Sequence, residues 1–376
     1  MTSIQKRSNG RWRARYRDGD GHEHARHFER KIDAQRWLDE VTTAIVSGQY
    51  VAPNAGRVTF RDYANDWLAS QVHRKSTAAL YRRHMTLHAF PVLGDKPLAN
   101  VLPSNIQAWV RGLGTGLSPA TVGVVYTITA SIFRAAVRDR KIATTPCTGI
   151  TLPKVSKARV TPLTTEQVEI LLEHVPAEIR ALVTMTAGTG MRQGEVLGLT
   201  RDRVRLLGKN PALTVDRQLV TTTLGATEYG PVKTEASNRV IPLPRVVVAA
   251  LNEHVAAYKI GAEDLLFTLN GKPITRQRFG HIWRPAAKAA GMTAATGTGM
   301  HALRHYYASL LIRYGESVKT VQDRLGHASA AETLDTYSHL WPDSDDRTRD
   351  AVDSVLGIDP AVLDAALAIA AKPPTT

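Results

Sequence analysis

The sequence predicts a mainly α, multidomain protein: a small N-terminal β-sheet plus one helix, a four-helix domain, and a mixed α/β, mainly helical domain. Three observations predict it. At 376 residues the chain is too long for one ordinary domain. Its hydrophobic period is two near the N-terminus and close to 3.6 over most of the rest. Polar, proline-bearing stretches at residues 50–57 and 144–162 interrupt the helical patterns.

Near the N-terminus, Arg11, Arg13, Arg15 and Arg17 alternate with Trp12, Ala14 and Tyr16. In a strand this puts four guanidiniums on one face and two aromatics on the other. Asp18-Gly19-Asp20-Gly21 is a strong hairpin turn, and His22–Phe28 returns as the partner strand. Ile32–Val46 has helical spacing, with Trp37, Leu38, Val41, Ile45 and Val46 available for packing. Thr59 then caps a helix to Ser70 whose stripe is Phe60, Tyr63, Ala64 and Trp67. Ser76 caps a second, ended by Pro91 and Gly94. Pro103-Ser104 starts a third, to about Leu113. Ser118-Pro119 opens a fourth, to about Arg140. Thr164 or Thr165, with Glu166 or Gln167, caps the first helix of the last domain. A strand-rich insertion runs from Leu213 to Leu243. A short alanine-rich helix near Pro360–Lys372 is marginal alone, so it is expected to dock on the chain itself or on a neighbouring subunit.

These signals give domains at 1–56, 57–150 and 163–345, a linker at 151–162 and a tail at 346–376. Charge is uneven across them. The formal net charge is +14, and residues 58–160 alone hold 14 Lys/Arg against 4 Asp/Glu. A basic surplus confined to one segment points to a polyanion-binding surface; the bland alternative is a solubilising surface. Arg82 and Arg83, in the second helix of that segment, are candidate DNA contacts beside Arg11, Arg13, Arg15 and Arg17. Cys147 is the single cysteine, which excludes an internal disulfide and a Cys-based zinc site. The N-terminus lacks an apolar leader, and no run approaches the roughly 18 apolar residues of a membrane span. The expectation is a soluble cytoplasmic protein without membrane contact.

The chemistry lies late in the chain. Arg192 sits in TGMRQGEVLGL with Glu195 three residues on; alone, such a pair is usually a surface pair. His301 and Arg304 share a helix face in HALRH. His301 and His305 are spaced like metal ligands, but a further ligand cluster is missing, so no metal is expected and His305 reads as structural. His327 ends Leu325-Gly326-His327. Tyr337 follows in a stretch with Thr333, Thr336, Ser338 and His339, a polar face that distinguishes it from the rivals Tyr306 and Tyr307. Lys233 reads as lying near the tip of a hairpin; alone it would be an ordinary solvated lysine. No phosphate-binding glycine loop is present, so no nucleotide cofactor is expected. Two arginines to hold a phosphate, histidines to move protons and a tyrosine to attack phosphorus suit covalent phosphodiester chemistry.

Taken in order, TGMRQGEVLGL, VKTEASNRVIPL, HALRH and LGHASAAETLDTY resemble the motifs of the tyrosine recombinase family, specifically phage-type integrases. The basic helical segment is similar to the family's core-site-binding domain, and residues 1–56 to an arm-site-binding domain. The resemblance implies that Tyr337 attacks the scissile phosphate to give a 3′-phosphotyrosine. It implies that Arg192 and Arg304 stabilise the developing charge, that His301 accepts the tyrosine proton and that Lys233 protonates the leaving oxygen. His327 would hydrogen-bond the phosphate and Glu195 would hold Arg192. It further implies double-stranded DNA as partner, a homotetramer at a Holliday junction, an accessory DNA-bending protein and a directionality factor, with no cofactor. A chromosome- or plasmid-dimer resolvase of the same family, and a non-catalytic DNA-binding regulator of the same fold, are the alternatives.

Overall fold

The computed structural model describes residues 2–19, 21–48, 50–155, 159–221, 226–341, 345–356 and 364. The chain divides into two compact units, Met1–Lys157 and Ala158–Thr376.

In the first unit, β1 (Ser3–Lys6), β2 (Trp12–Arg17) and β3 (Glu23–Phe28) form an antiparallel sheet in that order. β1 is an addition to the expected hairpin: Ser-Ile-Gln-Lys carries no alternation of its own, and pairing with β2, Ser3 opposite Arg15, makes it a strand. The β2–β3 turn is held by Asp18, whose carboxylate accepts from the His22 backbone N–H at 2.9 Å; Asp20 lies outside the described residues. Ala14 and Tyr16 are buried against Ala34 and Leu38 of α1 (Lys31–Val46), and Tyr16 meets Trp37 edge-on at 5.3 Å. Ile45 and Val46 do not join this core; Val46 is 83% exposed, because the sheet is too short to cover the helix's last turn.

Four helical segments follow. α2 (Phe60–Ser70) is capped by Thr59, whose side chain accepts from the Asp62 N–H. α3 (Lys75–His84) begins one residue before Ser76, so Arg74 holds the cap position. It does not stop at Pro91. A π-helical turn (Met85–Ala89) widens the helix and leads into α4 (Phe90–Leu93), which carries Pro91 in its first turn, where its missing N–H is not needed. α5 (Pro103–Leu113) and α6 (Pro119–Arg138, capped by Ser118) complete the domain. Its core stacks Phe60 on Phe133 at 5.0 Å, with Trp109 donating to the His88 carbonyl at 2.8 Å. By length and composition α6 is apolar enough to cross a membrane, contrary to the expectation that no stretch qualifies; half of it is buried as the core helix of this domain.

The second unit is built around α8 (Ala177–Thr189), packed by α7 (Thr165–His174), α10 (Arg245–Ala257) and α12 (His301–Arg313). Ile179, Leu182, Val183 and Met185 bury it on all sides. A Thr164–Gln167 capping box starts α7. α9 (Gln193–Leu197) follows α8. The insertion is two small sheets. β4 (Val204–Arg205), β5 (Ala212–Val215) and β8 (Arg239–Pro242) form one; β6 (Arg217–Thr221) and β7 (Thr227–Pro231) form a hairpin. After α10 come the pair β9 (Thr268–Leu269) and β10 (Lys272–Pro273), α11 (Arg276–Ala289), α12, α13 (Val318–Leu325), α14 (Ala330–Tyr337) and α15 (Asp345–Leu356). The sequence pattern did not separate α15 from the tail. The alanine-rich segment Pro360–Lys372, apart from residue 364, lies outside the described residues.

Candidate active site

Two left-handed glycines shape the site. Gly190 ends α8 at φ +64, and an added Cβ there would stand 2.5 Å from the Tyr307 ring and 2.9 Å from Leu325. Only glycine lets α12 and α13 pack this closely on the turn. Gly326 ends α13 at φ +64 with the Ala236 carbonyl 3.0 Å from where a Cβ would be. These turns place Arg192 just after the first and His327 just after the second.

Arg192 is the N-cap of α9. Its guanidinium donates to Glu195 Oε1 (3.0 Å), Ser237 Oγ (3.1 Å) and the Gly326 carbonyl (3.0 Å), while its backbone N–H donates to Glu195 Oε2 at 2.9 Å. Glu195 is 2% exposed, so it needs full charge compensation. Arg239 supplies the second half, donating to Glu195 Oε2 at 2.8 Å and to Oε1 at 3.3 Å, and to the Arg324 carbonyl at 2.9 Å. Burial opposes ionisation of Glu195, but Arg239 and then Arg192 outweigh it and hold the carboxyl below its ordinary range. Arg239 had no role in the sequence reading. A buried glutamate bridging two arginines is a long-range fact, and the one hint was that its own strand is polar at that end.

Arg304 is 2% exposed on α12 and donates to the Gly190 carbonyl (2.8 Å) and the Leu325 carbonyl (2.6 Å). Burial, then Arg192 and Arg239, push it down to about 9, which leaves a guanidinium charged at neutral pH. Arg192 and Arg304, 112 positions apart in the sequence, are thus pinned on the same Leu325–Gly326 turn.

His327 follows that turn, 6% exposed, with Nδ1 2.8 Å from Thr333 Oγ1 and its ring stacked 6.4 Å from the Tyr337 ring. Tyr337 is the last residue of α14 and 1% exposed. Burial raises its hydroxyl to about 12 against the pull of Arg304. The polar face expected around it is in part interior, since Thr333 is fully buried beside His327.

The hydroxyl of Tyr337 lies 2.8 Å from Nδ1 of His305. His305, read from the sequence as structural, lies one helical turn after His301 and reaches the tyrosine that sequence proximity could not connect to it. His301 meets His305 edge-to-face at 4.7 Å. Its residue surface opens to solvent, yet its imidazole is pushed down to about 4, first by the protein packed around the ring and then by Arg304, Arg192, His327 and Lys233. His305 and His327 are also lowered to about 4, by burial first. Lys233 is exposed and close enough for its charge to act on His301. It is not at a hairpin tip. β7 pairs with β6 and β8 with β5, so Lys233 lies on the crossover between the two small sheets. The rival tyrosines point elsewhere: Tyr306 shares a hydrogen bond with Thr165, and Tyr307 packs on Gly190. Among the described residues no group of three or more His, Cys, Asp or Glu is placed to hold a metal ion.

In the first unit, Arg13 and Arg15 of β2 both pair with Glu23, at 3.2 and 3.3 Å, and Arg15 also donates to Ser3 Oγ. Arg11 and Arg17 are exposed, as are Arg82 and Arg83 on α3.

Three family models match the chain: the phage integrase family over residues 161–343, the phage integrase N-terminal domain over 2–47 and the phage integrase N-terminal SAM-like domain over 59–114. The chain is 29% identical to the prophage phiRv2 integrase of Mycobacterium tuberculosis over 349 residues, covering 89% of this chain and 90% of that one. It is 27% identical to the integrase of Mycobacterium phage D29 over 347 residues, covering 87% and 90%. Among solved structures, the Tn1549 transposon integrase in complex with a circular intermediate DNA matches at TM-score 0.67 and 22% identity, over 79% of this chain and 99% of that chain. A lambda integrase tetramer bound to a Holliday junction matches at 0.54 and 19%, over 88% and 94%; these likenesses are of fold. The chain therefore belongs to the phage integrase family: it is a phage-type site-specific integrase, a tyrosine recombinase that breaks and rejoins DNA.

Proposed function

We propose that this integrase inserts and excises a phage or mobile-element genome through a 3′-phosphotyrosine formed on Tyr337. The observation that carries the reading is the anchoring of Arg192 and Arg304 on the one turn that leads into His327 and the helix ending at Tyr337. Both guanidiniums now donate to backbone carbonyls. A phosphate entering beside them offers two non-bridging oxygens, each a stronger acceptor than a carbonyl. The arginines then bind the charge that develops in the transition state, with His327 donating a further hydrogen bond and Glu195, shared with Arg239, fixing the orientation of Arg192. Lys233, on its exposed crossover, protonates the departing 5′ oxygen. His301 and His305 provide uncharged imidazoles on the nucleophile's side. The energy of the phosphodiester is conserved in the tyrosyl ester, so rejoining needs neither nucleotide nor metal.

Arg11, Arg17, Arg82 and Arg83 are free to meet phosphates, whereas Arg13 and Arg15 first exchange Glu23 for DNA. The lambda integrase structures bound to a core site and to a Holliday junction support core-type sites and a homotetramer on the junction here; the N-terminal residues 1–56 take arm-type sites. An accessory DNA-bending protein and a directionality factor complete the assembly, which acts in the cytoplasm of the bacterial host.

The test is covalent capture on a nicked duplex carrying a site selected by binding. The wild-type chain is expected to become attached, in excess chelator as well as without it. Tyr337→Phe is expected to bind that site with similar affinity and form no adduct. An adduct with the Phe variant would move the nucleophile elsewhere.

A further inference from the structure

We propose that His305 is the group that holds the Tyr337 hydroxyl for attack and takes its proton. The proposal rests on Tyr337 being the nucleophile, and it replaces His301 in the role that the family resemblance implied.

The geometry favours His305 in three ways. Its Nδ1 is 2.8 Å from the Tyr337 oxygen, within the range of an O–H···N hydrogen bond, and His305 is the one group among the described residues that is hydrogen-bonded to that oxygen. The two rings are inclined at 64° with centroids 5.6 Å apart, so the imidazole approaches the phenol through its edge, where the lone pair lies, rather than through its face. His305 also follows Arg304 directly on α12, so the arginine's two carbonyl anchors fix the backbone that carries the imidazole.

The protonation state is consistent. Burial, then His301 and Arg304, lower His305 to about 4, so the ring is neutral at physiological pH. A neutral imidazole that accepts at Nδ1 carries its hydrogen on Nε2. The O–H bond of Tyr337 breaks and its proton bonds to His305 Nδ1. The electron pair stays on the phenolic oxygen, which forms the bond to phosphorus as the bond from phosphorus to the 5′ oxygen breaks. That departing oxygen receives a different proton, from Lys233. The imidazolium formed at His305 is unfavourable beside Arg304 until the anionic phosphate has entered. Proton transfer is therefore coupled to loading of DNA, and the free protein keeps its tyrosine un-ionised.

The experiment compares His305→Asn and His305→Ala with wild type in single-turnover cleavage of a nicked duplex. One substrate has an ordinary scissile phosphate and a second has sulfur at the 5′ bridging position. A thiolate leaves without being protonated, so the second substrate removes the need for an acid but not for a base. Both variants are expected to bind DNA as wild type does and to form adduct roughly 10²–10⁴-fold more slowly, a range typical of a positioned proton carrier. The deficit should persist on the sulfur substrate, whereas Lys233→Ala should recover there. Rates within about threefold of wild type for the Asn variant, which keeps a polar group near Nδ1 and guards against misfolding of the Ala variant, would overturn the proposal. So would rescue of either variant by sulfur, which would put His305 on the leaving-group side. An adduct that persists in Tyr337→Phe would instead overturn the nucleophile assignment, and this proposal with it, whatever the His305 rates.

Discussion

Arg304 illustrates why a residue in this site is difficult to replace. Two different nitrogens of its guanidinium serve two different carbonyls, Gly190 and Leu325, while the residue is almost wholly buried. Lysine has the charge but not the fork, and cannot reach both acceptors in fixed geometry. Arg304→Lys is therefore expected to lose nearly as much as Arg304→Ala, with single-turnover cleavage falling by roughly 10²–10³. A lysine variant cleaving at the wild-type rate would show that charge alone suffices. Glu195 is the counterpart on the anionic side. It compensates Arg192 and Arg239 together. Breaking a buried pair by removing one partner's charge costs about 3–5 kcal/mol, so Glu195→Gln should lower the urea midpoint of the catalytic unit as well as its activity. An unchanged midpoint would mean that Arg192 and Arg239 find other partners.

At the scale of elements, most helix starts were legible because their signals are local. Thr59, Ser118 and Thr164 each accept from the backbone N–H three residues on, as a capping residue followed by an apolar stripe predicts. What was not legible depends on partners distant in sequence. β1 exists through its pairing with β2, and Pro91 is tolerated because a π turn precedes it. Of the site, the motif order announced Arg192, His301, Arg304, His327 and Tyr337. Arg239 and the contact of His305 with Tyr337 are made by packing between elements and leave no periodic trace. The same packing gives α12 and the α13–α14 turn a pH response. His305 and His327 titrate near 4 when folded and near 6.5 when unfolded. Between these values the unfolded chain binds more protons, so stability is full above about pH 6.5 and declines as pH falls toward 4. Denaturation midpoints measured from pH 7.5 down to 4.5 should follow that decline, and His327→Gln should flatten it. A wild-type midpoint that stays constant over that interval would contradict the lowered values.

For the whole molecule, the distribution of charge and the division of the chain lead to one further expectation. Arg192, Lys233, His301, His305, Arg304, His327 and Tyr337 all lie in the unit Ala158–Thr376, and residues 1–56 contribute none of them. A protein beginning at residue 57 should therefore still bind and cleave a core-type site, but should fail where flanking arm sites are required. The full chain's binding should weaken more steeply with salt than the truncated chain's, since its additional arginines release condensed counterions. Equal salt slopes for the two proteins would take DNA contact away from the N-terminal sheet.

The pinning of both arginines on the Leu325–Gly326 turn also bears on how such a domain decays when selection for recombination is relaxed. Arg192 and Arg304 hold that turn through its backbone carbonyls, whereas the hydroxyl of Tyr337 makes one hydrogen bond among the described residues, to His305. A lineage drifting toward a purely regulatory role can shed the hydroxyl at little cost in folding, but losing an arginine unpins the helix end that carries His327. Inactive descendants should then be recognisable by phenylalanine at position 337 beside two retained arginines, so arginine conservation alone is a poor guide to which members still cut DNA.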